Sequence, residues 1–151
     1  MRVYADSSVF GGAEDKEFAK ESRAFFDLVR EGRFELVVSA LVRDELSNAP
    51  SRVAQLYEEM ESLGEVVEVT EEVLRLARAY VDAGVVTEKW EDDATHVAVA
   101  SVARCALVVS WNFRHIVHYQ KIPRYNAVNV LHGYPAVSIH SPAEVVEDEE
   151  G

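Results

Sequence analysis

The sequence predicts an α/β fold built on a parallel sheet with helices covering both faces. Short apolar runs that read as strands alternate with stretches of helical periodicity along the chain. Such alternation implies parallel pairing through helical crossovers. One run, CALVVSW at 105–111, is apolar almost without interruption, as expected of a strand buried on both faces. No linker, repeat or low-complexity tract divides the 151 residues, a length that suits one domain with a full core.

Each element has its own signal. RVYADSS at 2–8 reads as a short buried strand, and EDKEFAKESRAFFDLVREG at 14–32 as a helix with Phe18, Phe25, Phe26 and Val29 on one side and Gly32 near its end. FELVVSA at 34–40 is a second strand and ALVRDELSN at 40–48 a short helix. SRVAQLYEEMESLG at 51–64 is a longer helix, started by Ser51 after Pro50 and stopped by Gly64. EVVEVT at 65–70 is the third strand, and its Thr70 caps EEVLRLARAYVDAG at 71–84. The segment from Trp90 to Arg104 is helical, with a small-residue packing stripe of Ala94, Val97, Ala98, Ser101, Val102 and Cys105. After the fourth strand, NFRHIVHY at 112–119 is expected to turn helical and AVNVLHGY at 127–134 to be irregular. AVSIHSPAEVVE at 136–147 gives a short strand and a helix opened by a capping box of Ser141 and Glu144, with Pro142 at the first helical position. A single domain over 1–146 is expected, followed by an acidic, frayed end at 147–151.

Composition narrows the function. The lone Cys105 cannot form an internal disulfide, and no window approaches the roughly 20 apolar residues of a membrane span. MRVYADSSVF lacks a leader's apolar stretch, so a cytoplasmic protein without membrane partners is expected. A net charge of −12 argues against a generic nucleic-acid binder, because phosphates are repelled by a surplus of carboxylates. That charge is unevenly spread. Between Ala94 and Ala143 there is no Asp or Glu, but there are Arg104, Arg114, Lys121, Arg124 and all five histidines. The other 11 cations and all 27 acids fall elsewhere, a net of −16, so an anionic ligand is expected at the histidine-rich segment.

Ligands of such sheets bind beyond the carboxyl ends of the strands. Asp6, Ser7 and Ser8 follow the first strand, Asp44 and Glu45 the second, and Ser110 and Asn112 the fourth; Asp92 and Asp93 open the helix leading into the fourth. Each has an ordinary reading. Asp6 can cap a turn, Glu45 can lie on a solvated helix face, and Asp92 and Asp93 can complement a helix dipole. Together they would repel each other unless a cation bridged them. Hard oxygen donors without a thiolate suit Mg²⁺ or Mn²⁺, ions that drive phosphodiester hydrolysis by acidifying water and neutralising phosphate charge. An acid-free surround then lets a polyanion approach.

VYADSSVF, SALVRDEL, EDDATHVAVA and LVVSWNFRHI resemble the four spaced motifs of PIN-domain nucleases, a group that includes the toxin ribonucleases of VapBC-type toxin–antitoxin pairs. The resemblance spans Arg2 to Val146. It implies a three-layer α/β/α sandwich with a central parallel sheet, and a metal-dependent ribonuclease using Mg²⁺ or Mn²⁺. By the same resemblance Asp6, Glu45 and Asp93 are the catalytic, metal-ligating acids. The fourth acid of the family is missing: the segment reads Ser110, Trp111, Asn112, Phe113, Arg114, His115. Asn112 is left as a weak neutral ligand and Asp92 as a compensating one.

Ser8 and His96 are candidates to support the ligands, His96 also to bind phosphate or metal, although Ser8 could equally cap a turn and a histidine placed like His96 is more often a packed, hydrogen-bonded core residue. Arg114, His115, Lys121 and Arg124, interleaved with Phe113, Tyr119 and Tyr125, form the mixture that stacks bases and pairs phosphates; a half-buried helix and loop is the alternative. Two functions stand beside each other: an endoribonuclease, expected as the toxin of a toxin–antitoxin pair with RNA as substrate and a small antitoxin as partner, and a catalytically weakened PIN-fold module that binds RNA or protein. Homodimerisation is compatible with both. Phosphatase-like or receiver-like chemistry is disfavoured, since Asp6 has neither a paired acid nor a lysine partner in sequence.

Overall fold

The computed structural model describes residues 1–150. Five parallel strands form one sheet: β1 (Arg2–Ala5), β2 (Glu35–Ser39), β3 (Glu65–Val67), β4 (Leu107–Val109) and β5 (Ser138–His140), in the order β3-β2-β1-β4-β5. The earliest strand is therefore central, and Val3, Tyr4 and Ala5 are wholly buried on its two faces. Helices α1 (Ser7–Gly12), α2 (Ala19–Arg30), α4 (Ser51–Leu63) and α8 (Pro142–Glu150) pack together as one layer. Helices α5 (Glu71–Asp82), α6 (Glu91–Val102) and α7 (Ile122–Leu131) form the other. The chain runs outward from β1 to β3 under the first layer and returns to β4 and β5 under the second, so right-handed crossovers put the layers on opposite faces. The short α3 (Ala40–Glu45) continues straight from β2. This is the expected α/β sandwich.

Local chemistry explains most boundaries. Thr70 accepts a hydrogen bond from Val73 N and starts α5, and Gly64 ends α4. Ser141 and Glu144 close their capping box reciprocally, Glu144 N donating to Ser141 Oγ and Ser141 N to Glu144 Oε1.

Two expectations are corrected. The helix drawn over 112–119 is a series of turns, because Asn112 Oδ1 takes the His115 N–H and Asn112 O takes those of Ile116 and Val117. The segment read as irregular, 127–134, belongs instead to α7 as far as Leu131. Pro123 lies in that helix's first turn, where its missing N–H costs nothing. Asn129, a poor helix former by propensity, is buried in it because Tyr80 donates to its Oδ1 while its Nδ2 donates to Ser101 Oγ and Pro135 O. At the C-terminal end α8 runs to Glu150 and Arg33 pairs with Glu149; Gly151, within the segment expected to fray, lies outside the described residues.

Candidate functional site

The register builds the site. Tyr4 lies opposite Val37 and Ala5 opposite Val109, so one residue further on Asp6 stands between Ser39 and Ser110 at the carboxyl edge. Asp6 is the N-cap of α1 and is 4% exposed. Its Oδ1 accepts from Ser8 N at 3.2 Å and Ser8 Oγ at 2.6 Å, and its Oδ2 from Ser110 Oγ at 2.7 Å. Burial pushes its pKa up, Glu45 adds to the rise, and the charge of His96 with the two serine bonds offsets only part of it.

Glu45 closes α3. Its Oε1 accepts from Ser7 Oγ at 2.5 Å and from His96 Nε2 at 2.7 Å. Burial raises the Glu45 pKa, but the hydrogen bond and charge of His96 outweigh it, and the carboxyl sits below its ordinary value. His96 on α6 is enclosed, 2% exposed, and its Nδ1 meets the Tyr4 hydroxyl at 2.6 Å. Desolvation works against its charge; the Glu45 hydrogen bond and the carboxylates of Asp6, Glu45 and Asp93 prevail and raise its pKa. His96 is thus both a packed core histidine and a partner of Glu45.

Asp93, in the first turn of α6, is half-buried, and its charge is felt by His96 and His115. Asp92 is exposed. Asn112 is engaged as a turn cap through Oδ1. Among the described residues no three His, Cys, Asp or Glu side chains converge as a ready metal cage. The donor chemistry nevertheless fits a hard divalent cation: the nearby acids offer oxygen, the lone Cys105 is not among them, and the Asp6 and Glu45 charges oppose each other.

The segment expected to bind RNA divides. Arg114 is exposed with its guanidinium 5.6 Å from the Trp90 ring centre, and Lys89 Nζ lies 5.1 Å from the same ring. His115 stacks on Trp90 at 4.5 Å; both its ring nitrogens are buried without a partner, and burial lowers its pKa. Lys121 Nζ donates to Val85 O at 2.6 Å and Arg124 to Ala83 O at 3.4 Å, so both tether α7 to the turn after α5. Phe113 and Tyr119 are exposed, whereas Tyr125 is core.

Ser7 and Ser110, named from sequence only by their place beyond the strand ends, bond the two carboxylates, and Ser39, Tyr4, Lys89 and Trp90 join the site without having been singled out. A hydroxyl on a wholly buried strand residue, as in Tyr4, was the available signal. Shape is a poor guide here. A cavity of about 460 Å³ lined by Met1, Phe34, Leu107, Ser138 and Glu149 lies at the amino ends of the strands, away from Asp6.

The sequence profile of the PIN domain matches residues 4–114. The chain belongs to the PIN-domain family. Among solved structures, one chain of VapBC2 from Rickettsia felis, determined bound to a DNA fragment from their promoter, superposes with a TM-score of 0.58 at 12% identity, covering 93% of this chain and 98% of that one. A chain of FitAcB from Neisseria gonorrhoeae gives 0.59 at 15% identity, covering 93% and 97%. At these identities the likeness is one of PIN fold. No curated protein sequence matches the chain. No helix among the described residues is long and apolar enough to cross a membrane.

Proposed function

We propose that this PIN-domain protein is a divalent-metal-dependent endoribonuclease that hydrolyses RNA phosphodiesters and acts as the toxin of a toxin–antitoxin pair. One observation supports this above others: in a PIN-domain chain, Asp6 and Glu45 are like-charged carboxylates close enough at the carboxyl edge for Glu45 to raise the Asp6 pKa, a repulsion that His96 and the hydroxyls of Ser7, Ser8 and Ser110 offset in part. Asp6, Glu45 and Asp93 would hold Mg²⁺ or Mn²⁺, with Asn112 as a weak neutral donor and Asp92 available from the exposed side of α6. Bound there, the cation supplies positive charge against the scissile phosphate and acidifies the attacking water.

The chain's own residues do the rest. Ser8 and Ser110 orient Asp6, while Ser7 and His96 orient Glu45. Arg114, joined by Lys89, attracts the RNA backbone; His115, Lys121 and Arg124 shape the wall beside them. The toxin role rests on the likeness to VapBC-type proteins, and so do the proposed partners, a small antitoxin and a second copy of the chain in the cytoplasm.

One observation favours the second reading, a PIN-fold module with weakened catalysis that binds RNA or protein: Asn112 stands where a carboxylate would add charge and is already engaged by His115 N. Incubation with a mixed RNA pool, with and without Mn²⁺, separates the two. The nuclease reading expects metal-dependent cleavage that disappears in Asp93→Asn. Full cleavage by that variant overturns the ligand assignment, and RNA binding without cleavage by the wild type favours the module.

A further inference from the structure

Behind Glu45 runs a chain of side chains that metal ligation alone does not require. Ser39 Oγ at the end of β2 lies 2.9 Å from the Tyr4 hydroxyl on β1; that hydroxyl meets His96 Nδ1 on α6 at 2.6 Å; and His96 Nε2 meets Glu45 Oε1 on α3 at 2.7 Å. Ser39 and Tyr4 are wholly buried and His96 almost so. With Glu45 ionised, Nε2 carries the proton it donates. Nδ1 and the Tyr4 hydroxyl then share one hydrogen, Nδ1 donating when the ring is charged and accepting when it is neutral, and the Tyr4 and Ser39 hydroxyls share the next.

We propose that Tyr4 and His96 are positioning residues that fix the Glu45 side chain with Oε1 occupied, so that it presents Oε2 alone to the site. This rests on the reading of Glu45 as a metal ligand. The geometry argues it directly. Both hydrogen bonds to Glu45, from Ser7 and from His96, converge on Oε1. A glutamate ending a six-residue helix, with a third of its side chain exposed, has several rotamers open to it, and a donor anchored in the core selects one. The imidazole needs its own constraint, since its ring can turn. Tyr4 supplies it, because only one ring orientation satisfies the phenol and the carboxylate at once. For packing alone a phenylalanine would fill the strand position as well; the hydroxyl is explained by its bond to His96.

The test uses Tyr4→Phe, His96→Leu and His96→Gln in the full chain. Mn²⁺ affinity is measured by titration calorimetry, and the His96 ring N–H signals of the metal-free protein by ¹⁵N-resolved NMR. Tyr4→Phe and His96→Leu are expected to weaken Mn²⁺ binding about 10- to 100-fold. His96→Gln, whose amide nitrogen still reaches Glu45, restores most of it. A merely structural role would lower the melting temperature and leave the affinity of the folded protein unchanged, which overturns the proposal. Should His96→Leu fail to fold, Tyr4→Phe decides, being nearly isosteric. In the metal-free wild type a protected Nε2–H signal is expected, and in Tyr4→Phe a fast-exchanging one. An identical protected signal in both overturns the positioning role. A wild type that binds no cation overturns the ligand reading instead, and the ring signals still decide whether Tyr4 holds His96 in place.

Discussion

The side-chain oxygen of Asn112 accepts a hydrogen bond from the backbone N–H of His115, 2.9 Å away. An aspartate can make the same bond and adds a negative charge beside the other carboxylates. Asn112→Asp should therefore keep the turn, bind Mn²⁺ several-fold more tightly and cleave RNA faster. Calorimetry and single-turnover cleavage on both proteins check this; equal affinities would mean that position 112 lies outside the metal's reach.

Arg114 and Lys121 are close in sequence but differ in what they touch. Arg114→Ala should weaken RNA binding and flatten its salt dependence, lowering the slope by roughly one unit or slightly less. Lys121 Nζ is bonded to Val85 O, so Lys121→Ala should lower thermal stability and leave the salt slope nearly unchanged. Filter binding across a salt series, beside melting curves, separates the two effects.

The buried amide of Asn129 depends on Tyr80, which donates to its Oδ1. Tyr80→Phe leaves that oxygen without its donor in a site closed to water. The expected loss is about 1–3 kcal/mol of stability by urea unfolding, larger than a surface tyrosine would give.

Sequence reading succeeds where the physics is local. Thr70, Gly64 and the Ser141–Glu144 box are legible because a cap involves neighbours in the chain. That Asp6 and Glu45 lie at one edge is legible because strand ends converge in any parallel sheet. What fails is long-range. Helix α7 is hidden because Asn129 and Pro123 read as breakers until Tyr80 and Ser101 are seen to satisfy the one and the first helical turn to accept the other. Tyr4 as a brace for His96, 92 residues on, leaves no local trace. Nor does the bond of Lys121 to Val85, which depends on how α7 packs.

Cys105 follows α6, is buried, and has its thiol pKa pushed up to about 11 by desolvation. At pH 8 it should be almost entirely protonated, so iodoacetamide should leave the native protein unmodified and label it only after unfolding. Rapid labelling of the native state, read by intact mass, would show that the segment opens.

The strand order also sets a schedule. Asp6 is synthesised 104 residues before Ser110, which holds its carboxylate, and β1 lacks its second neighbour until β4 is made. No shorter nascent chain can complete the carboxyl edge, so a growing polypeptide carries the acids long before it carries the site. Whatever chemistry that edge performs begins only after β4 has been synthesised.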